Sequence, residues 1–276
     1  MPTRIHGWRR LLPGIAAALA AGVVAAGNDL RILIPLYNYP TWWTPATYIW
    51  TNVVAAARQV PVCAIIDPAD GPDGPAPNAD YQHGMDDLRA GGVEMLGYVD
   101  SNYGNRPIAA VKSNIDTYAT GWNVNGIFVD QASTAANRLA YYGELYDYIH
   151  SRTGLARVVI NPGTVPDETY VSRPAADVTV WFENSNTDWS AWSPPVYGAR
   201  HPMRGFGALV YDCATAAAMT QVVDQAVARR SGWVYVTDDR LPNPWDTLPP
   251  YWTALVGRVK YWRTRDGGAG LALMLR

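Results

Sequence analysis

Acids and amides recur at one kind of place in this sequence, the last residue or two of a short apolar run. Such runs close at Asp67, Asp100, Asp130-Gln131, Asn161, Glu183-Asn184, Tyr211-Asp212 and Asp238-Asp239. Two carboxyl groups facing each other across a sugar can break a glycosidic bond. One protonates the leaving oxygen and the other acts as nucleophile or base. Tyr37, Tyr39, Tyr98, Tyr103 and Trp181 stand close to these positions, and their flat faces suit stacking on pyranose rings while amides and carboxylates bind hydroxyls. An Asp where a strand meets a loop is more often a turn or cap residue than a catalyst, and Asp212 and Asp239 read best as caps. Glu183 is different. Glu caps poorly, and here it ends the apolar run Val178–Phe182, where a buried charge needs a partner or a function to offset its cost. Asp130 and Glu183 are therefore the candidate catalytic pair.

Other chemistries lack their residues. There is no G-x-S-x-G elbow and no phosphate-binding glycine–lysine loop. Lys112 and Lys260 both fall in predicted helices, which disfavours a Schiff base. His6, His83, His150 and His201 show no metal-ligand spacing, and Asp67, Asp70 and Asp73 share a loop without the spacing of a calcium hand. No metal and no cofactor is expected.

The elements that must position these residues alternate along the chain. Strands are expected over Ile32–Tyr39, Val62–Pro68, Glu94–Asp100, Gly126–Gln131, Arg157–Pro162, Val178–Glu183, Gly205–Cys213 and Trp233–Asp238. Most are apolar throughout, as strands buried on both faces must be. Helices are expected over Pro45–Arg58, Tyr81–Ala90, Ile108–Thr120, Asn137–Thr153, Thr215–Arg230 and Pro250–Arg263, with a short one at Trp189–Trp192. Thr44 before Pro45 reads as a helix start and Gly154 as a stop. Eight strand–helix units point to a single (β/α)8 barrel, whose chemistry gathers at the carboxyl ends of the strands. No glycine fingerprint follows the first strand, which argues against a dinucleotide-binding open sheet.

Composition bounds the partners. The 276 residues are 49% hydrophobic and 17% charged, which excludes a disordered chain, and a net charge of −2 offers no basic face for nucleic acid. Arg4, Arg9 and Arg10 precede the apolar run Leu11–Ala26, so residues 1–28 read as a signal peptide or uncleaved anchor and 29–276 as the barrel domain. Removing that leader takes the net charge from −2 to −5, because it holds three arginines and no acid. A secreted or cell-envelope monomer is expected, with Cys63 and Cys213 as buried free thiols.

With these residues in place, the chain resembles the spherulin 4 proteins of glycoside hydrolase family 135. The likeness rests on I-P-L-Y at Ile34–Tyr37, D-P-A-D-G-P at Asp67–Pro72, Y-G-x-R at Tyr103–Arg106 and G-I-F-V-D-Q at Gly126–Gln131. It continues with N-P-G at Asn161–Gly163, F-E at Phe182–Glu183 and T-D…N-P-W…L-P over Thr237–Pro249. The resemblance implies an enzyme that cuts within exopolysaccharides of α-1,4-linked galactosamine or N-acetylgalactosamine. Asp130 would be its nucleophile and Glu183 its general acid/base. Asp67, Tyr103, Arg106 and Asn161 would line the groove, joined by Tyr37, Tyr98, Asp100, Gln131, Trp181, Tyr211 and Asp238 from the ring of strand ends. Gln131 stands where the family commonly has Glu. It removes a charge beside Asp130, which favours an ionised Asp130, and it leaves a catalytically weak, carbohydrate-binding envelope protein as the alternative.

Overall fold

The computed structural model describes residues 29–172 and 175–265. The predicted leader over residues 1–28 lies outside the described residues. Eight parallel strands close into one barrel in sequence order, with β1 pairing β8. They are β1 (Arg31–Pro35), β2 (Val62–Ile66), β3 (Glu94–Asp100), β4 (Gly126–Asp130), β5 (Arg157–Ile160), β6 (Val178–Ser185), β7 (Phe206–Tyr211) and β8 (Trp233–Val236). Side chains on both faces of these strands are buried, one face in the barrel and the other under helices. Six strands end one to four residues earlier than the apolar runs suggest. The run continues into the loop because loops at the mouth also pack on the core.

The helix layer comprises α1 (Trp50–Ala57), α2 (Ala79–Ala90), α3 (Ile108–Thr117), α4 (Leu139–His150), α5 (Thr169–Ser172), α6 (Asn186–Ala191), α7 (Ala216–Ala228) and α8 (Trp252–Thr264). The first helix starts at Trp50, not Pro45. Residues 41–47 instead form successive turns, in which Thr44 N–H donates to the Thr41 carbonyl at 2.8 Å. Capping falls to other side chains. Asn78 accepts from the N–H groups of Asp80 and Tyr81 to start α2, and Thr215 accepts from Ala218 N–H to start α7. Asp212 and Asp239 cap nothing. Asp212 pairs with Arg240 at 2.7 Å and Asp239 accepts from the Thr247 hydroxyl at 2.5 Å, so both pin the loop between β8 and α8.

One irregularity decides where a predicted site residue goes. Val180 pairs with Gly207 and Phe182 with Ala208, leaving Trp181 as an extra residue in β6. A bulge of this kind breaks the two-residue alternation of side chains. Trp181 and Phe182 both turn to the helix layer, contacting Trp192 at ring-centroid distances of 5.6 and 5.3 Å. Trp181 also stacks on Phe206 at 3.8 Å, donates its indole N–H to Ser231 and is 0% exposed. It is core, not a sugar platform. The same bulge lets Glu183, two residues on, face the mouth. Cys63 and Cys213 are buried free thiols.

Candidate active site

All strands run the same way, so their carboxyl ends open on one face. The register sets Asp100 beside Asp130 and Ser185 beside Tyr211. A cavity of about 510 Å³ lies there, lined by Tyr37, Asp67, Asp70, Tyr98, Glu183, Tyr211 and the loop segment Leu241–Trp245, among others. Strained backbone concentrates at the same face. Among the described residues seven non-glycines have positive φ, and five of them (Asp70, Asn102, Tyr103, Gln131 and Asp212) follow strand ends.

Asp130 ends β4 and Glu183 lies near the end of β6, and the residue after β5 joins them. The amide nitrogen of Asn161 donates to Asp130 Oδ1 at 2.7 Å and to Glu183 Oε2 at 2.5 Å. The orientation of that amide is fixed by its other end, since Oδ1 accepts from Gly163 N–H at 3.0 Å. Gly163 turns at φ 65°, and its carbonyl in turn accepts from Glu183 N–H at 2.9 Å. The Asn161-Pro162-Gly163 segment thus clamps Glu183 through both main chain and side chain. The remaining oxygen of Asp130 accepts from the Tyr98 hydroxyl at 2.8 Å.

The electrostatics separate the two acids. Burial pushes the Glu183 carboxyl up to about 7, and the neighbouring Asp130 adds to the rise, against hydrogen bonds from Asn161 and Trp245. Asp130 is also raised by burial, opposed by hydrogen bonds from Tyr98, Gln131 N–H and Asn161. The net direction for Asp130 is still upward, and those three donors oppose its burial, whereas Glu183 is the acid pushed as far as about 7. Asp67 is pushed up to about 6 by burial, with Gly71 N–H opposing.

The other sequence-derived residues divide by position. Tyr37, Asp67, Tyr98 and Tyr211 line the cavity beside Glu183, while Asp130 and Asn161 form the hydrogen-bonded layer against it. Asp100, Tyr103, Arg106 and Gln131 make a separate rim over β3 and β4. There Arg106 donates to the Asp100 carbonyl at 2.9 Å, and Tyr103 N–H donates to the Gln131 carbonyl at 2.6 Å. Asp100 itself accepts from Asn102 N–H, and Tyr103 is 55% exposed. Asp238 lies toward the buried Cys213 and Tyr251, both of which its negative charge makes weaker acids, and is outside the cavity lining. Trp245 and Asp70 are cavity residues that the ring of strand ends does not include. Trp245 packs on Tyr211 and Tyr235 at 6.2 and 6.0 Å and supplies the aromatic wall that Trp181 does not. Its signal was the N-P-W within Thr237–Pro249.

A closed eight-stranded parallel barrel with an acid-lined pocket at its carboxyl mouth is the architecture of carbohydrate-active, glycoside hydrolase-like proteins. The family model for spherulation-specific family 4 matches residues 31–259, and the chain belongs to that family. It is 30% identical over 240 residues to Spherulin-4 of Physarum polycephalum, covering 84% of this chain and 70% of that protein. The crystal structure of Aspergillus clavatus Sph3 in complex with GalNAc matches with a TM-score of 0.71 and 25% identity, covering 85% of this chain and 99% of that one. An α-L-fucosidase from Paenibacillus thiaminolyticus shares the fold at a TM-score of 0.52 and 9% identity, over 85% of this chain and 49% of that one.

Proposed function

We propose that this protein is an exported, endo-acting glycoside hydrolase for an exopolysaccharide containing α-1,4-linked galactosamine or N-acetylgalactosamine. Asp130 acts as nucleophile and Glu183 as general acid/base. The observation that carries the reading is the shared amide of Asn161, which ties the two carboxyl groups to one nitrogen. Two oxygens bound to one atom by those bonds lie no more than about 5.2 Å apart, closer to the roughly 5–5.5 Å of retaining glycosidases than to the roughly 6.5–9.5 Å that inversion needs for an intervening water.

Glu183, protonated below about 7, gives its proton to the glycosidic oxygen as the leaving sugar departs. Asp130, held ionised by Tyr98 and Asn161, attacks the anomeric carbon and forms the glycosyl–enzyme ester. Glu183, now a carboxylate, takes a proton from the incoming water, which displaces Asp130 and restores both groups. Trp245 and Tyr211 offer ring faces to the sugar.

Incubation with galactosaminogalactan should release new reducing ends, and Glu183→Gln should abolish the release while the fold persists. Gln131 favours a second reading, binding without turnover. Binding of the polymer with no new reducing ends, unchanged by Gln131→Glu, would establish that reading in place of the first.

A further inference from the structure

Tyr39, Trp42 and Trp43 crowd the loop between β1 and α1, and none of them belongs to the catalytic centre. They are 43%, 42% and 53% exposed, half of the six large hydrophobic side chains that stand in solvent among the described residues. Single apolar side chains on a surface are ordinary, but three together mark a place where something binds. The rings are also held in place. Asp80, in the first turn of α2, accepts from the Tyr39 hydroxyl at 2.6 Å and from the Trp42 indole N–H at 3.0 Å. Trp42 lies flat on His83 at 4.5 Å, and Trp43 meets Trp42 and Tyr39 edge-on at 5.8 and 6.4 Å. The polar edges of Tyr39 and Trp42 are engaged within the protein, so what the loop offers outward is apolar ring.

The loop is continuous with the cavity. Tyr37 lines it and stands two residues before Tyr39, at most about 7 Å of chain. Tyr37 N–H and the Asn38 amide donate to the carbonyls of Trp245 and Asp246 at 3.2 and 3.0 Å, in the loop that carries the aromatic wall. On its other side Tyr39 packs on Tyr81 at 5.3 Å, itself within reach of the charge on the cavity residue Asp67.

We propose that Tyr39, Trp42 and Trp43 form an outer platform on which the polysaccharide rests beyond the cleaved bond, so that long chains are held more tightly than short ones. The proposal rests on the glycosidase reading and adds a second point of contact to it. Galacto-configured sugars carry the axial O4 on one face and leave the C–H groups at C3, C4 and C5 together on the other, an apolar patch that matches an aromatic face. A protein partner fits less well. The three rings expose on the order of 300 Å², against the roughly 800 Å² that each side of a stable protein complex contributes.

The test is a titration of full-length Glu183→Gln protein, which does not turn substrate over, with galactosaminogalactan fragments: a trimer and a chain of about twelve sugars. The long fragment should bind at least about tenfold more tightly than the trimer, as linked contacts do. Adding Trp42→Ala and Trp43→Ala should remove that advantage and leave the affinity for the trimer unchanged, and Trp43→Tyr, which keeps a ring, should retain it. Trp43→Ala alone, at a position more than half exposed, should keep the parent melting temperature and still lose about threefold for the long fragment. Equal affinities for the two lengths, an advantage that the ring variants leave intact, or an equal loss on both lengths would overturn the proposal while leaving the glycosidase reading intact. So would a dimer of the parent in sedimentation that Trp43→Ala dissolves, since a second copy would then cover the rings. Failure of both fragments to bind would overturn the glycosidase reading and this proposal with it.

Discussion

Asn161 has one carboxamide nitrogen to share between two acids, and both acids depend on it. Its hydrogen bonds lower the carboxyl groups against the rise that burial causes. Asn161→Ala should therefore move the alkaline limb of the pH–rate profile, set by Glu183 near 7, to higher pH and cut turnover by about a hundredfold. An unmoved limb would mean that Asn161 does not tune Glu183. The same raised acid affects stability. Its ordinary value is 4.5, so between there and about 7 the folded state holds a proton that the unfolded state has lost. Stability is full below that window and falls as pH rises through it. Glu183→Gln should thus melt higher than the parent at pH 8, by the equivalent of about 3 kcal/mol, and match it at pH 4. Equal melting temperatures at both pH values would contradict the buried, protonated acid. Glu183 was legible in the sequence because a Glu closing an apolar run has to answer for its burial. Trp181 misled because nearness to Glu183 in sequence does not show the bulge that turns it away from the mouth, and Trp245 escaped because it lies in a proline-rich loop beyond the last strand.

At the scale of elements, the bulge in β6 does two jobs with one extra residue. It buries Trp181 against Trp192 and Phe206 and aims Glu183 into the mouth. Trp181→Ala should cost about 3–5 kcal/mol in urea unfolding, as large buried truncations do, without changing KM at a temperature where the variant is folded. A raised KM with unchanged stability would return Trp181 to the sugar-binding surface. Asn78→Ala removes the cap of α2, the helix that follows the Asp67–Asp70 loop, and should cost about 1 kcal/mol. The strands were readable because parallel barrel strands are apolar on both faces. Their ends were not, because the mouth loops pack as tightly as the strands. The start of α1 was hidden behind a Thr–Pro pair that makes turns, and α5, four residues long, has no periodicity to detect.

For the molecule as a whole, the order of strand–helix units alone pointed to a closed barrel, since that pattern leaves few ways to bury every strand on both faces. Which face of each strand end looked inward was beyond a linear reading, because barrel closure and the bulge set it. The barrel brings Asp130 and Glu183, far apart in sequence, onto either side of Asn161, and the claim that this trio is a retaining catalytic centre is open to one direct measurement. Proton NMR of the first products from galactosaminogalactan reports both turnover and anomeric configuration. The account predicts that the α-anomer appears first and only later mutarotates, with no product from Asp130→Asn or Glu183→Gln. Initial release of the β-anomer, or turnover by either variant at the parent rate, would contradict it.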